Sequence, residues 1–462
     1  MGFSVQRIWA EQALIEGRWL SGVLVEIGSD GRIADVSAVR DPKDIRTDRR
    51  VGVLLPSPTN LHSHAFQRAM AGMTERRGPS GMDTFWTWRQ LMFRFLEALT
   101  PDDIEAITSY VQMEMLEAGY GSVAEFHYVH HQPGGAAYDE PAELSARVCA
   151  AASRSGIGLT LLPVLYQQGG CDGRPLASGQ TRFGNSVDRY AELVERVRSM
   201  ANGQRRDFRV GVAPHSLRAV TREGIAASVT LAGDGPIHMH LAEQVAEVEE
   251  VEAAYGRRPT EWLFDNHGVD ERWCLIHCPQ LTGDETVMLA RSGAVAGLCP
   301  ITESSLGDGI FNGAEYLAHG GQFGIGSDSN IRISLSEELR TLEYSQRLRD
   351  RRRAVLAMPA LSTGRTLLDG ALVGGARAAG RDSGRIAKGA WADLMALDMS
   401  SVDLEGRTGD GILDSFVFAG DDRMVCDVWS AGNHVVEGGR HVKRDEIEAA
   451  YRRTMRSLRD RL

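Results

Sequence analysis

Residues 55–64 read Leu55-Pro56-Ser57-Pro58-Thr59-Asn60-Leu61-His62-Ser63-His64, so an apolar run ends in two histidines one residue apart. Because a β-strand alternates its faces with period two, His62 and His64 point to the same side. At the carboxyl end of a strand, both rings can reach one divalent metal ion. The same spacing also occurs in ordinary surface or core histidines. The rest of the chain must therefore supply further ligands.

Short apolar segments alternate with longer helical stretches through the middle of the chain, which is the rhythm of a parallel α/β fold. Eight candidate strands favour a (β/α)8 barrel of the TIM type over an open sheet. We expect this barrel to occupy residues 51–380. Its predicted strands are 51–56, 121–127, 158–166, 209–214, 236–241, 273–277, 294–299 and 323–327.

Both ends of the chain carry short apolar runs separated by Gly and Asp turns, as in residues 22–31 and 392–397. We predict that residues 1–50 and 381–440 pair into one small composite domain, a β-sandwich. Residues 441–462 show apolar side chains at a spacing of three and four, which predicts a C-terminal helix with one docked face.

Composition restricts the partners. The chain has 462 residues, 43% of them hydrophobic, and a formal net charge of -11, so a nucleic acid or an anionic membrane is not an expected partner. No apolar run reaches membrane-spanning length, and the N-terminus lacks a secretory pattern. Six scattered cysteines suit reduced thiols. We expect a cytoplasmic protein.

In a barrel of this kind, the active site lies where the strands end. Strand 236–241 delivers His240, and Glu243 follows three residues later. Strand 273–277 ends in His277. The predicted metal ligands are His62, His64, His240 and Asp328, with Glu243, His277 and Asp328 as the groups that move protons and hold the attacking water.

Each of these residues has an ordinary structural alternative. His238 lies on the same strand face as His240 and is the competing ligand, although His240 is nearer the strand end. Glu243 alone would be a helix-surface carboxylate, and Asp328 could simply cap the next helix. His277 could be a core histidine. Their joint occurrence at four strand ends favours a site.

Three imidazoles and a carboxylate suit Zn²⁺ or Fe²⁺, and a divalent ion makes bound water easier to deprotonate. The chain contains only three lysines, Lys43, Lys388 and Lys443. A carboxylated lysine from a middle strand, the common bridge between two metals in such barrels, is therefore absent, as is a lysine for Schiff-base chemistry. We expect one metal ion.

These residues resemble the amidohydrolase superfamily, in its single-metal deaminase branch. The resemblance rests on residues 58–64, on His240 with Glu243, on His277 and on Asp328, and residues 389–394 resemble the usual companion β-domain. It covers nearly the whole chain and implies the metal-ligand and proton-transfer roles given above. Longer stretches resemble enzymes of that branch that release ammonia from a small linear amidine, namely 85–90, 125–131, 213–220, 306–309 and 327–332.

Such a substrate would be a cationic amidine with two carboxylates. Arg89 and Arg218 then supply planar forks that match carboxylates, and Gln67, Tyr128 and His215 supply directional hydrogen bonds. Either arginine could instead serve only a structural ion pair. The resemblance also implies a homodimer. Two rival hypotheses are a deaminase of a guanine- or adenosine-like ring and a non-catalytic scaffold that retains the barrel.

Overall fold

Eight parallel strand segments form the ring at the centre of the molecule. The computed structural model describes residues 5–39, 43, 46–75 and 85–462, without the side chains of Phe85 and Trp86. Some of the predicted segments therefore lie outside the described part of the chain. These are residues 1–4, 40–42 and 44–45 of the predicted β-domain, residues 76–84 of the predicted barrel and those two aromatic side chains.

The strands of the described chain, numbered in order, are β1 Gln6–Ile15, β2 Arg18–Ile27, β3 Ile33–Ala38, β4 Arg49–Pro56, β5 Thr59–Ser63, β6 Ser122–His127, β7 Gly158–Leu165, β8 Arg209–Val210, β9 Ala213–Pro214, β10 Ile237–Leu241, β11 Trp273–His277, β12 Val295–Leu298, β13 Gln322–Ile325, β14 Leu394–Leu397, β15 Val425–Ser430, β16 Asn433–Glu437 and β17 Arg440–His441.

The α-helices, numbered in the same way, are α1 Phe85–Ala98, α2 Pro101–Glu117, α3 Glu143–Ser155, α4 Val187–Asn202, α5 Arg222–Ala232, α6 Val245–Tyr255, α7 Pro259–Asn266, α8 Gly283–Ser292, α9 Pro300–Leu306, α10 Gly313–Ala318, α11 Leu335–Asp350, α12 Thr363–Ala378, α13 Asp410–Phe418 and α14 Arg444–Arg461.

The barrel consists of two parallel sheets joined by single bridges. One sheet runs from β5 through β6 and β7 to β8, with β9 also paired to β7, and the other runs from β10 to β13. Parallel bridges join Val212 to Ile237 and Ser63 to Asp328, so the ring closes at both seams. The middle strands β6, β7, β10 and β11 are buried along their whole length, as expected when helices cover the outer face. The α/β barrel fold is confirmed.

Strands from both ends of the chain form one eight-stranded sheet, in the order β17-β16-β15-β14-β4-β1-β2-β3. This sandwich-like sheet has its own apolar core, which includes Ile8, Val25, Leu54, Leu394 and Trp429. It is the composite small sheet expected from the repeating turn pattern at the two ends. The predicted domain limits at residues 51 and 380 stay predictions.

The prediction of 51–56 as the first barrel strand was wrong. Strand β4 covers this segment but pairs with β1 and β14 in the terminal sheet. The first barrel strand is β5, which begins three residues after β4 ends and pairs with β6. The segment Ser57-Pro58 separates the two, because proline lacks the N–H that a continuing strand would need.

No helix among the described residues is long and apolar enough to cross a membrane. All six cysteines are free, and Cys274 and Cys278 are buried.

A buried ion pair joins the terminal sheet to the barrel. Arg381 donates to Asp393, just before β14, over 2.7 and 3.0 Å, and to the Asp207 carboxylate, just before β8, over 3.2 Å. The side chains of all three are at most 4% exposed. Burial acts to lower the pKa of Arg381, but the two carboxylates raise it above its ordinary value, so the guanidinium remains charged.

We expect Arg381→Ala to destabilise the protein by about 3–5 kcal/mol, because it leaves the buried carboxylate of Asp393 without its cation, while Asp207 keeps Arg205. Urea unfolding followed by circular dichroism measures the change. The matched control is Arg385→Ala, which removes a half-exposed partner of Asp382 and should cost less than about 1 kcal/mol. Equal losses in the two variants would contradict the prediction.

Candidate active site

The carboxyl ends of β5, β10 and β13 bring the predicted ligands together. Asp328 Oδ1 lies 3.4 Å from His62 Nε2 and 3.3 Å from His64 Nε2. His240 Nε2 lies 3.2 Å from His62 Nε2. These residues converge because β5 and β13 are joined by the bridge between Ser63 and Asp328.

Three of the six distances between these four donor atoms match those of a tetrahedral metal site. Bonds of about 2.0–2.1 Å to nitrogen and oxygen require donor atoms about 3.3 Å apart in a tetrahedron. The three distances between the donors are 3.2, 3.3 and 3.4 Å.

The hydrogen bonds behind the rings also favour a cation. His64 Nδ1 donates to the carbonyl of Phe126 over 3.0 Å, and His240 Nδ1 donates to that of His215 over 3.1 Å. In the neutral rings, each Nε2 therefore directs a lone pair at the cluster. His62 Nδ1 is buried without a protein partner among the described residues. The Nε2 lone pairs and the Asp328 carboxylate therefore face one another closely. A divalent metal ion between them would fit this arrangement.

Burial keeps the three imidazoles neutral, which is the state that binds metal. Burial lowers the pKa of His62 and of His240 well below the ordinary histidine value, and the neighbouring histidines lower both further. Burial also lowers the pKa of His64, although Asp328 and the Phe126 carbonyl oppose this.

His238 points away from the cluster. Its Nε2 donates to the carbonyl of Ala378, at the end of α12, over 2.7 Å. Burial lowers the pKa of this ring to about 4. The side chain therefore packs beneath the site, and of the two histidines in β10 only His240 faces the other predicted ligands.

Several residues at the strand ends have an unusual backbone. Ala242, His277, Cys278, Asp328 and Asn330 have φ angles between +44° and +73°, although none is glycine. Such conformations cost about 1–3 kcal/mol each and persist where surrounding contacts impose them. The strain is concentrated at the strand ends that carry His277 and Asp328.

The three predicted proton-transfer groups surround one space. His277 Nε2 lies 3.9 Å from Glu243 Oε1 and 3.8 Å from Asp328 Oδ2. Burial raises the pKa of Glu243, while His277 and Arg218 oppose the shift. Arg218 NH2 is 4.0 Å from Glu243 Oε2. Glu243 is thus a carboxyl group that can carry a proton beside an imidazole and a carboxylate.

The charge of His277 depends on its acidic neighbours. Burial acts to lower its pKa, but the hydrogen bond to Glu303 and the charges of Glu243 and Asp328 raise it to about 10. A cation bound next to Asp328 would lower this pKa again.

All five predicted substrate-binding residues line the cavity in front of the cluster. Gln67 donates to Tyr128 over 2.8 Å, and Arg89 donates to Tyr166 over 2.8 Å. His215 lies between Tyr166 and His240, with ring centroids 4.6 and 4.9 Å away. Arg218 completes the set beside Glu243.

Several residues of the site were missing from the sequence prediction. The same cavity is also lined by Trp88, Met92, Tyr166, Phe183 and Leu306. Behind it, Glu247 accepts from the backbone N–H groups of Ala242 and Glu243 over 3.2 and 3.0 Å, and Asp308 accepts from Gln244. Trp88, Leu306 and Asp308 lie in the quoted motifs 85–90 and 306–309. Met92, Tyr166 and Phe183 carry no local signal, because they meet the cavity through distant parts of the chain. Glu247 binds N–H groups only four and five residues before it, but nothing in the sequence alone marks that contact.

Comparisons with known proteins give the family of this chain and several of its relatives. The family model described as "Amidohydrolase family" matches residues 53–435. The chain is 48% identical over 458 residues to the formimidoylglutamate deiminase of Pseudomonas aeruginosa, covering 98% of this chain and 99% of that protein. It is 28% identical to a 5-methylthioadenosine/S-adenosylhomocysteine deaminase of Natronomonas pharaonis, covering 81% and 80% of the two chains.

Solved structures show the same fold. The crystal structure of an amidohydrolase from Brucella melitensis is 47% identical, with a TM-score of 0.93 over 98% of this chain and 99% of that one. An adenosine deaminase from Xanthomonas campestris with bound zinc is 22% identical, with a TM-score of 0.82 over 98% of each chain. The chain therefore belongs to the amidohydrolase family.

Proposed function

We propose that this protein hydrolyses N-formimidoyl-L-glutamate to N-formyl-L-glutamate and ammonia, a step of histidine degradation. Water adds its oxygen to the formimidoyl carbon, and the carbon–nitrogen bond to the terminal nitrogen breaks. The terminal nitrogen takes up both protons of the water. It leaves as ammonia if it already carried one proton and as ammonium if it carried two.

One observation carries this proposal. Arg89 and Arg218 line the same cavity as Glu243 and His277, in a chain 48% identical to a formimidoylglutamate deiminase. A linear substrate with two carboxylates needs fixed cationic donors at a distance from the reacting carbon. The relatives that act on adenosine derivatives are more distant, at 25–28% identity.

We further propose that the cluster of His62, His64, His240 and Asp328 holds one zinc ion, with Fe²⁺ as the alternative. Three nitrogen donors and one oxygen donor suit either metal. When bound, the ion supplies a more acidic water and polarises the group under attack.

The side chains around this cluster would then handle protons and orientation. Asp328 and His277 flank the space where the attacking water has to lie. Asp328 can accept a hydrogen bond from it, and so can Nε2 of His277 when the ring is neutral. Glu243, with its raised pKa, carries a proton to the leaving nitrogen. Tyr128, Gln67 and His215 orient the amidine through hydrogen bonds.

The experiment that tests the function is ammonia release. Purified protein with a measured metal content is supplied with N-formimidoyl-L-glutamate, guanine or adenosine in parallel. We expect turnover of the first compound only. Preferential turnover of a ring compound would support the rival deaminase, and a metal-replete protein that turns over none of them would support the scaffold hypothesis.

Arg218→Ala should mainly weaken substrate binding. Removing one partner of a buried carboxylate–guanidinium pair costs about 2–5 kcal/mol, so kcat/KM should fall by about 30-fold or more. Arg222→Ala, which removes an exposed arginine at the start of α5, is the matched control. An unchanged kcat/KM in Arg218→Ala would remove this residue from the pocket.

We also propose a homodimer in the cytoplasm. The six free thiols support a reducing compartment. Analytical ultracentrifugation tests the oligomeric state, and fractionation of the producing cells tests the location.

A further inference from the structure

A buried glutamate outside the predicted site touches one of its proton-transfer groups. Glu303 lies in the first turn of α9, and its side chain is 7% exposed. Its Oε1 accepts a hydrogen bond from His277 Nδ1 over 3.2 Å and a second from the backbone N–H of Cys299 over 2.8 Å. One carboxylate oxygen thus joins the end of β11 to the end of β12.

This contact determines which nitrogen of His277 faces the cavity. An ionised carboxylate only accepts hydrogen bonds, so the Nδ1 that faces Glu303 must carry a proton, whether the ring is neutral or charged. Nε2 is then left to face Glu243 and Asp328, at 3.9 and 3.8 Å. A ring flipped about the Cβ–Cγ bond would place a carbon there.

The backbone of His277 makes such support necessary. Its φ angle is +73° and that of Cys278 is +55°, so the chain turns through the left-handed region directly at the functional side chain. Tertiary contacts have to hold residues in this region. A carboxylate on the far nitrogen is a common way to orient a histidine.

We propose that Glu303 is a positioning residue, which holds the His277 ring with Nε2 towards Glu243 and Asp328 and keeps the proton on Nδ1. This role rests on the proposed function of the site. Glu303 is not among the residues that line the cavity, and it acts on the reaction only through His277. The alternative is a purely structural role, in which the bond to Cys299 N–H caps α9 and the contact with His277 is incidental.

Substitutions at Glu303 separate the two roles. We expect Glu303→Ala to lower kcat by about 10- to 100-fold with little change in KM or metal content, the usual range for losing a carboxylate behind a functional histidine. Glu303→Gln should recover most of the activity, because an amide oxygen can accept both hydrogen bonds. If Glu303→Ala does not fold, Glu303→Asp replaces it, since the shorter side chain cannot span both donors.

The matched control is Glu285→Gln. Glu285 is an equally buried acid that caps α8 by accepting from Thr282 N–H over 2.8 Å, and it also pairs with Arg258. We expect this variant to lose stability but to keep its kcat. Three results would overturn the proposal. They are an unchanged kcat in Glu303→Ala, a fall in its kcat that is matched by a fall in its metal content, and an equal fall of kcat in Glu285→Gln.

A double-mutant cycle gives the sharper test. If Glu303 acts through His277, adding Glu303→Ala to His277→Ala should lower kcat no further. Losses that multiply would overturn the proposal.

Proton NMR provides a readout that does not depend on turnover. We expect a downfield Nδ1–H resonance that disappears in His277→Ala and Glu303→Ala and persists in Glu303→Gln. If the protein fails to release ammonia from formimidoylglutamate yet shows this pattern, the proposed function is wrong and the role of Glu303 in orienting the ring stands. Absence of the pattern in an active enzyme overturns the positioning role alone.

Discussion

The Glu243→Gln variant should lose ammonia release by about 10²- to 10⁴-fold, the usual contribution of a positioned acid–base group. Glutamine keeps the shape of the side chain but cannot carry a proton to the leaving nitrogen. The metal should remain, because Glu243 is not among the four proposed ligands. Steady-state ammonia release and metal analysis of the same preparation measure the two effects.

Glu249→Gln is the control for this variant, since it changes an exposed acid on the helix that follows Glu243. It should leave both rate and metal content unchanged. A metal-replete Glu243→Gln enzyme with the rate of the parent would exclude Glu243 as the proton carrier. A variant that loses its metal would instead indicate a role in holding the ion.

His240→Gln should lose both metal and activity, whereas His238→Gln should keep both. The two histidines lie in the same five-residue strand, so the pair separates ligation from general damage to β10. His240 Nε2 faces the cluster at 3.2 Å from His62 Nε2, while His238 Nε2 is bonded to the Ala378 carbonyl. A glutamine amide can still donate to that carbonyl, so little else should change.

Metal content after gel filtration and ammonia release measure this pair. Metal loss in His238→Gln with retention in His240→Gln would reverse the assignment of the ligand. Retention in both variants would mean that the ion is held elsewhere.

Most barrel strands could be predicted from the sequence, because a fully buried parallel strand is a short apolar run between polar segments. The first one could not. The run 51–56 is as apolar as a barrel strand but belongs to the terminal sheet, whereas β5 reads Thr59-Asn60-Leu61-His62-Ser63. In β5 the polar side chains are buried and hydrogen-bonded, as Thr59 is to Ser122 and Asn60 is to Ser327. Hydrophobicity alone cannot detect such a strand.

The proximity of His62, His64, His240 and Asp328 was predictable for a related reason. Residues at the ends of parallel strands meet at one face of the barrel, so their position in sequence fixes their neighbourhood. The choice between His238 and His240 needed the structure, because the Ala378 carbonyl comes from a helix 140 residues away in sequence. Glu303 was missed because its donor His277 is 26 residues away in sequence, and Glu247 because its backbone donors leave no side-chain pattern.

The terminal sheet also constrains the order in which the molecule can assemble. During synthesis β4 emerges early, yet its partner β14 is about 340 residues behind it. Contacts so distant in sequence close slowly and late. Only two residues separate β4 from β5, which carries His62. Until residues 394–397 leave the ribosome, the edge of β4 that pairs with β14 therefore stays unpaired, close in sequence to the strand that carries His62. An unpaired strand edge is exposed to mispairing and aggregation.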